Sequence, residues 1–441
     1  MSEVRAAAAD SRLLLHDVAV QRGLGLPTEP PQSILIEGDR IAAIMPSAEA
    51  PTSRGDVEVI DLEGACVMPG MTLGHGHIAY NDVITARDTM FKYSLPEVTL
   101  LAADNARRMV QLGYTALVGA GSVAGIDMAL KQAIAAGRLE GPRITACSRD
   151  LMVSAPPERR NPEVASRFPA DLMPIVDSAA AMVERTAIEI EQGAEIIKTF
   201  SSGDDTYPNA KSHELLYSLD ELKAVVAAAR PRGVRVRAHS RGLGGIRNAI
   251  EARVDIIDHA TYADDAALDA IAEAGIFIIP SLYQPRQLLL HGREHGKTDE
   301  FMNALEFQAE IDNTLWMLPE AVKRGIRIAT GDDFGFAWTP HGTYADELRV
   351  YVEVAGMAPA TVLSWATSNG AALAGRGADA GSVEVGKLAD LVVVASDPVQ
   401  DIGVLTDPSK ILMTLLAGRV VRDIRSKGLP QAAALSGASS R

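Results

Sequence analysis

Two histidines separated by one glycine, His75 and His77, close the segment VMPGMTLGHGH just beyond a Pro-Gly pair. On a strand, side chains two residues apart leave the same face, so both imidazoles would aim at one point. Imidazole nitrogens suit zinc, iron, cobalt or nickel. Four further segments end on a polar residue: Lys198 in AEIIKTF, His239 in VRVRAHS, His259 in VDIIDHA and Asp333 in IRIATGDD. Catalytic groups of a β/α barrel stand at the C-terminal ends of several different strands, and these residues occupy that position. The other five of the nine histidines, His16, His213, His291, His295 and His341, fall in expected loops or helices or in the terminal β segments.

Each residue also has an ordinary structural reading. An HxH pair taken alone can be two capping histidines, and a single histidine at a strand end is more often a hydrogen-bonded structural residue. Lys198 could simply snorkel from its strand. As an ammonium, ordinarily charged up to about pH 10.4, it would be repelled by divalent ions. Its neutral amine can instead take up carbon dioxide and bridge two ions as a carbamate. Asp332 and Asp333 are adjacent, so only one can face a barrel axis. We read Asp333 as the inward one, with Asp332 behind it and a capping role as the alternative for either.

The elements that would position these residues alternate. From about Pro69 to Gly375, strand patterns (YTALVGAG, PRITACS, AEIIKTF, VRVRAHS, VDIIDHA, IFIIPSL, IRIATGDD) are separated by helix patterns. One of these is SLDELKAVVAAARPRG, where Ser218 caps, Glu221 follows three residues on and Gly233 lies beyond the end. With the strand ending at His75 and His77, that makes eight strands. The expected fold is α/β, a TIM-type (β/α)8 barrel over residues 69–375, with a doubly wound open sheet as the runner-up. SRLLLHDVAV, SILIEGDRIAAIM and VEVIDLEGACV before it, and GSVEVGKLADLVVVAS and ILMTLLAGRVVRD after it, are β in texture. They are expected to pair as one small β-sandwich domain built from residues 1–68 and 376–425, leaving residues 426–441 as a small, polar tail.

The composition fits this reading. The chain has 441 residues, 47% of them hydrophobic and 22% charged, which suits a globular protein with a large core. A net charge of −15 with scattered Lys and Arg argues against a nucleic-acid partner. No apolar run approaches membrane-spanning length, and the N-terminus makes a poor signal peptide. Cys66 and Cys147 read as buried thiols of a reducing compartment, so the expected location is the cytoplasm.

At PGMTLGHGH, IIKTFSSGD, VRAHSRG, DIIDHAT and ATGDDFG the chain resembles the amidohydrolase superfamily. The likeness extends to GSVEVGKLADLVVVASDPVQDI, and within the superfamily GLGGIRNAIEARVDIIDHATYADD is similar to imidazolonepropionase-like and prolidase-like members. The resemblance implies two divalent metal ions, zinc foremost with iron, cobalt, manganese or nickel as alternatives. Their ligands would be His75, His77, a carboxylated Lys198, His239, His259 and Asp333. It implies hydrolysis of a C–N amide-type bond by a metal-bridging hydroxide, with Asp333 moving the proton. Tyr80, Arg241, Tyr283 and His341 are the candidates for shaping the substrate pocket, and a homo-oligomer with a small-molecule substrate is expected.

The chain departs from that pattern in places. Leu73 stands where an aspartate is usual, TALVGAG replaces TVRDxGG, Arg241 takes the place of the second histidine of AHAHG, and Asp332 that of the threonine of GTD. These changes weaken a dipeptidase that grips a free carboxylate and favour a neutral or aromatic amide, urea or carbamate. The remaining alternatives are a prolidase-like dipeptidase, a deaminase or ester hydrolase on the same frame, and a non-catalytic barrel scaffold. RGLGGIRNAI does not match the GxGxxG of a nucleotide site.

Overall fold

The computed structural model describes residues 4–50, 56–85, 88, 92–160, 174–203, 211–304 and 306–425. The expected tail, 426–441, lies outside them. Sixteen strands are defined: β1 (Arg12–Val20), β2 (Glu29–Glu37), β3 (Arg40–Pro46), β4 (Glu58–Asp61), β5 (Cys66–Pro69), β6 (Met71–Gly76), β7 (Tyr114–Gly119), β8 (Arg143–Thr145), β9 (Cys147–Asp150), β10 (Ile196–Phe200), β11 (Arg235–Ser240), β12 (Ile256–His259), β13 (Phe277–Ile279), β14 (Leu391–Val394), β15 (Ile411–Leu416) and β16 (Arg419–Asp423).

The two chain ends share one sheet, ordered β16-β15-β14-β5-β1-β2-β3 with β4 beside β1. Its seam is the antiparallel pair of β5 and β14, where Val67 faces Val393. The period-2 alternation of side chains on a strand divides this sheet's apolar residues between two cores. Leu391 and Val393 join Leu13, Leu15, Ile34 and Val67 in a separate cluster, while Val392 and Val394 face the main core.

The middle of the chain is α/β. Strands β6, β7 and β8 pair in parallel, as do β9 to β13. Between successive strands lie helices α1 (Leu95–Gln111), α2 (Ile126–Ala135), α3 (Ala179–Glu191), α4 (Leu219–Ala229), α5 (Leu243–Ala252) and α6 (Asp265–Ala274). Helix α4 begins with the expected capping box of Ser218 and Glu221, and Gly233 lies past its end at φ 71°.

Two segments differ from expectation. PRITACS is interrupted at Ala146, so β8 and β9 share one run. IRIATGDD forms no regular strand: it pairs through Ile328 with Ile278, and Thr330 O accepts from Gly74 N at 2.7 Å, returning the pairing to β6. The cause is local, because Gly331 (φ 145°) and Asp333 (φ 35°) leave the β region.

Between these strands sits an apolar layer of Val118, Cys147, Ile196, Ile256, Phe277, Ile279 and Ala329. Ile196 and Ile256 lie two residues before Lys198 and Asp258, so the same strand parity that buries the apolar layer points those polar groups inward above it. Both cysteines are buried and free. Beside Cys147, on α2, the buried Asp127 accepts from Cys147 N and interacts with Ser122, and burial, aided by the charge of Asp150, lifts its carboxyl to about 7. Below its unfolded pKa of about 3.9 the acid is protonated in both states. As pH rises from there to about 7 the unfolded chain ionises first, and stability falls. Asp127→Asn is therefore expected to flatten the decline in melting temperature between pH 5 and pH 8; an unchanged decline would exclude Asp127 as its source.

Candidate metal centre

Strand β6 delivers His75, and the residue just past its end, His77, follows on the same side. Their Nε2 atoms lie 3.2 Å apart. Asp333 Oδ1 completes a triangle, 2.8 Å from His75 Nε2 and 3.3 Å from His77 Nε2. Donors bonded at about 2.0–2.1 Å to one tetrahedral ion stand about 3.3 Å apart, so this spacing fits a shared cation. Among the described residues, these three are the group that could hold a metal ion.

The backbone here depends on glycine. A Cβ on Gly331 would lie 2.2 Å from His75 N, at a φ of 145°. Gly331→Ala is expected to cost more than about 2 kcal/mol, read as a lowered melting temperature; wild-type stability would show that the turn can be built otherwise.

His239 and His259 stand beside this triangle. Their rings are 4.6 Å apart, and His259 is 5.5 Å from His75. His239 Nε2 lies 3.1 Å from the Gly203 carbonyl, which as an acceptor places the ring proton on Nε2. Burial, then Arg241 and His239, hold His259 well below the usual imidazole range, so it is a neutral donor. Parity alone would turn His259 away from the inward-facing Asp258; its φ of 74° brings it to the rim.

Lys198 is buried and its Nζ donates to Asp258 Oδ2 at 2.7 Å. Asp258 and Arg237 are the residues that our reading of the sequence missed. Arg237 donates from Nη2 to Asp258 Oδ1 at 2.5 Å and from Nε to Oδ2 at 3.1 Å. It also donates to the Gly119 carbonyl at 2.5 Å. Burial opposes the Asp258 charge, but Arg237, Lys198 and His75 outweigh it and keep the carboxyl well below its usual range. The signal was present: Arg237 shares the parity of His239, and Asp258 that of Ile256.

The adjacent aspartates divide their work. Asp332 turns away, accepting from Ser281 Oγ at 2.6 Å, Leu282 N at 3.0 Å and Gln284 N at 2.8 Å. It thereby anchors the start of α7 (Tyr283–His291). Burial and the charge of Asp333 lift the Asp332 carboxyl to about 7. Asp333 itself stays ionised: burial opposes its charge, but His75 and then His77 hold it well below its usual range.

Of the four pocket candidates, Tyr80 and Arg241 meet side chains of the cluster, and His341 lies against the backbone of His77 and Tyr80. Tyr80 stacks on His77 at 4.5 Å between centroids, and Arg241 Nη2 lies 3.9 Å from Asp333 Oδ2. Arg241 is braced by Glu310, 2.6 Å away on α9 (Phe307–Lys323), which follows α8 (Asp299–Ala304). Tyr283 packs against Phe334, with ring centroids 5.7 Å apart. His341 is buried with Nδ1 3.0 Å from Tyr344 Oη; burial holds it near 4, as a neutral ring.

A cavity of about 780 Å³ opens at the opposite, N-terminal rim, lined by Arg230, Arg235, Arg253 and Arg327. Three of these guanidiniums donate to carbonyls at helix ends, those of Arg253, Leu373 and Gly275. They answer the negative ends of helix dipoles, so the cavity needs no ligand to account for them.

Parallel strands alternating with helices, and a His-His-Asp triangle at their C-terminal ends that could hold a metal ion, fit a hydrolase of the amidohydrolase class. The chain belongs to the amidohydrolase family, whose profile it matches over residues 66–421, and it is a hydrolase of carbon–nitrogen bonds in small molecules. It is 27% identical over 378 residues to ochratoxinase of Aspergillus niger, covering 81% of this chain and 75% of that protein. It is 24% identical over 402 residues to imidazolonepropionase of Chromobacterium violaceum, covering 82% and 84%. A crystal structure of an amidohydrolase superposes with a TM-score of 0.82 at 26% identity, covering 94% of this chain and 99% of that one.

Proposed function

We propose that the chain hydrolyses an amide-type bond (amide, N-acyl amino acid, urea or carbamate) of a neutral or aromatic small molecule. The site would be a two-ion centre held by His75, His77, carboxylated Lys198, His239, His259 and Asp333. Its frame would be a (β/α)8 barrel over residues 69–375, flanked by a composite β-sandwich domain from residues 1–68 and 376–425. The observation that carries this reading is the 2.8–3.3 Å triangle of His75, His77 and Asp333. Zinc is the proposed metal, in a cytoplasmic homo-oligomer.

The ions, when bound, would polarise the scissile carbonyl and acidify a water toward neutrality. The protein's part is to position and to move protons. Asp333, ionised at neutral pH, takes the proton of the attacking water and delivers it to the departing nitrogen. Tyr80 and Arg241 form walls of the pocket. The buried Arg241 guanidinium, braced by Glu310, gives that wall one fixed cation that can donate to a carbonyl or an acidic group of the substrate.

A panel of N-acyl amino acids, dipeptides, aryl amides and aryl ureas tests the substrate class. Arg241→Ala is expected to change the order of preference while sparing metal content. Loss of metal in that variant would assign Arg241 to the framework instead. Turnover confined to phosphotriesters or aminopurines would refute the amide reading.

A further inference from the structure

We infer that Asp258, held by Arg237, is the carboxylate that orients His75 for an ion, the two acting as positioning residues beneath the site. The inference rests on the metal-centre reading above. His75 Nδ1 touches two groups, Asp258 Oδ1 at 3.2 Å and Arg237 Nη2 at 3.1 Å. An imidazole that gives its Nε2 lone pair to an ion carries its proton on Nδ1. A guanidinium only donates, so Asp258 alone can receive that proton. A carboxylate so placed fixes the tautomer and the ring orientation and raises the basicity of the coordinating nitrogen.

The surroundings of Asp258 suit this task. The carboxylate is fully buried and shared by Lys198 on Oδ2, Arg237 on both oxygens and His75 on Oδ1. If Lys198 gives up its ammonium proton and the neutral amine then combines with carbon dioxide, releasing a second proton and becoming a carbamate, it no longer supplies a cation there. Arg237 still spans both oxygens, so Asp258 is not stranded without a partner. Arg237 is tied in turn to the Gly119 carbonyl at the end of β7, which leaves it little freedom to swing toward the ions. By contrast, His77 Nδ1 and His259 Nδ1 have no hydrogen bond among the described residues.

Metal-stripped full-length protein, titrated with Co²⁺ and followed by calorimetry and visible absorption, tests this. Melting temperature serves as the control for folding. Asp258→Asn removes the acceptor charge but leaves Arg237 buried beside an amide, so a second variant, Arg237→Met with Asp258→Asn, removes both charges together. Both variants are expected to melt cooperatively and to bind the first Co²⁺ roughly tenfold to a hundredfold more weakly than wild type, with a changed absorption spectrum. Wild-type affinity in either folded variant overturns the inference. Failure of both to fold overturns it too, making the pair a stability element. If the wild type takes up no Co²⁺, the metal reading falls and this inference with it; wild-type uptake with unchanged variants sinks this inference alone.

Discussion

Asp333→Asn is expected to lower kcat/KM by a factor of about 10²–10⁴, the range associated with losing a positioned general acid–base. Asparagine keeps the shape of the side chain, and its carbonyl oxygen can still face His75 and His77. It cannot accept the proton of the attacking water, and it removes the negative charge that His75 and His77 share at 2.8 and 3.3 Å. The loss should fall on kcat more than on KM, because the pocket walls are untouched. The wild-type carboxyl is held well below its usual range, chiefly by His75 and His77 against the opposing effect of burial. As a group with a depressed pKa it stays ionised through mildly acidic pH, so the acidic limb of the rate profile between pH 5 and 7 should not come from Asp333. An Asn variant retaining more than a tenth of wild-type kcat would remove Asp333 from the proton path.

Lys198→Ala is the second large effect. Lys198 lies at the bottom of the cluster, buried, with its Nζ on Asp258. If its carbamate bridges the ions, alanine leaves a gap the size of a carboxylate and one anionic ligand fewer. Metal content should fall by at least half and activity by about a hundredfold or more, at or beyond the upper end of the roughly tenfold to hundredfold loss for a ligand's supporting partner. Formate, acetate or propionate should partly restore both, since a small acid can occupy the vacated space. A variant that is fully metallated and active without added acid would contradict this role, and so would a failure of all three acids to restore either property.

The part of the site that strand periodicity governs was legible in the sequence. Lys198 and His239 sit at inward-facing positions two residues beyond apolar or charged inward neighbours, and the structure brings them to the same rim. Arg237 and Asp258 obey the same rule, but they precede the closing histidines His239 and His259 of their strands and so carry no terminal signal of their own. His259 and Asp333 are different. They reach the cluster through positive backbone dihedrals, 74° and 35°, which no alternation of side chains announces. The brace of Arg241 by Glu310 spans 69 residues of sequence and exists only because α9 folds back over the rim. The terminal β segments were recognisable by texture, but their union through Val67 and Val393 is a long-range pairing that local pattern does not specify. IRIATGDD looked like a strand from its first four residues, and its glycine and aspartates then bent it out of register.

The most direct test of the account is the metal content of the purified full-length chain, measured by elemental analysis before and after dialysis against a chelator and again after zinc is returned. The expected result is close to two zinc or equivalent ions per chain, with amide hydrolysis lost on stripping and recovered on return. A chain that binds no divalent ion under any of these conditions, or that hydrolyses its substrate equally well when stripped, would contradict it.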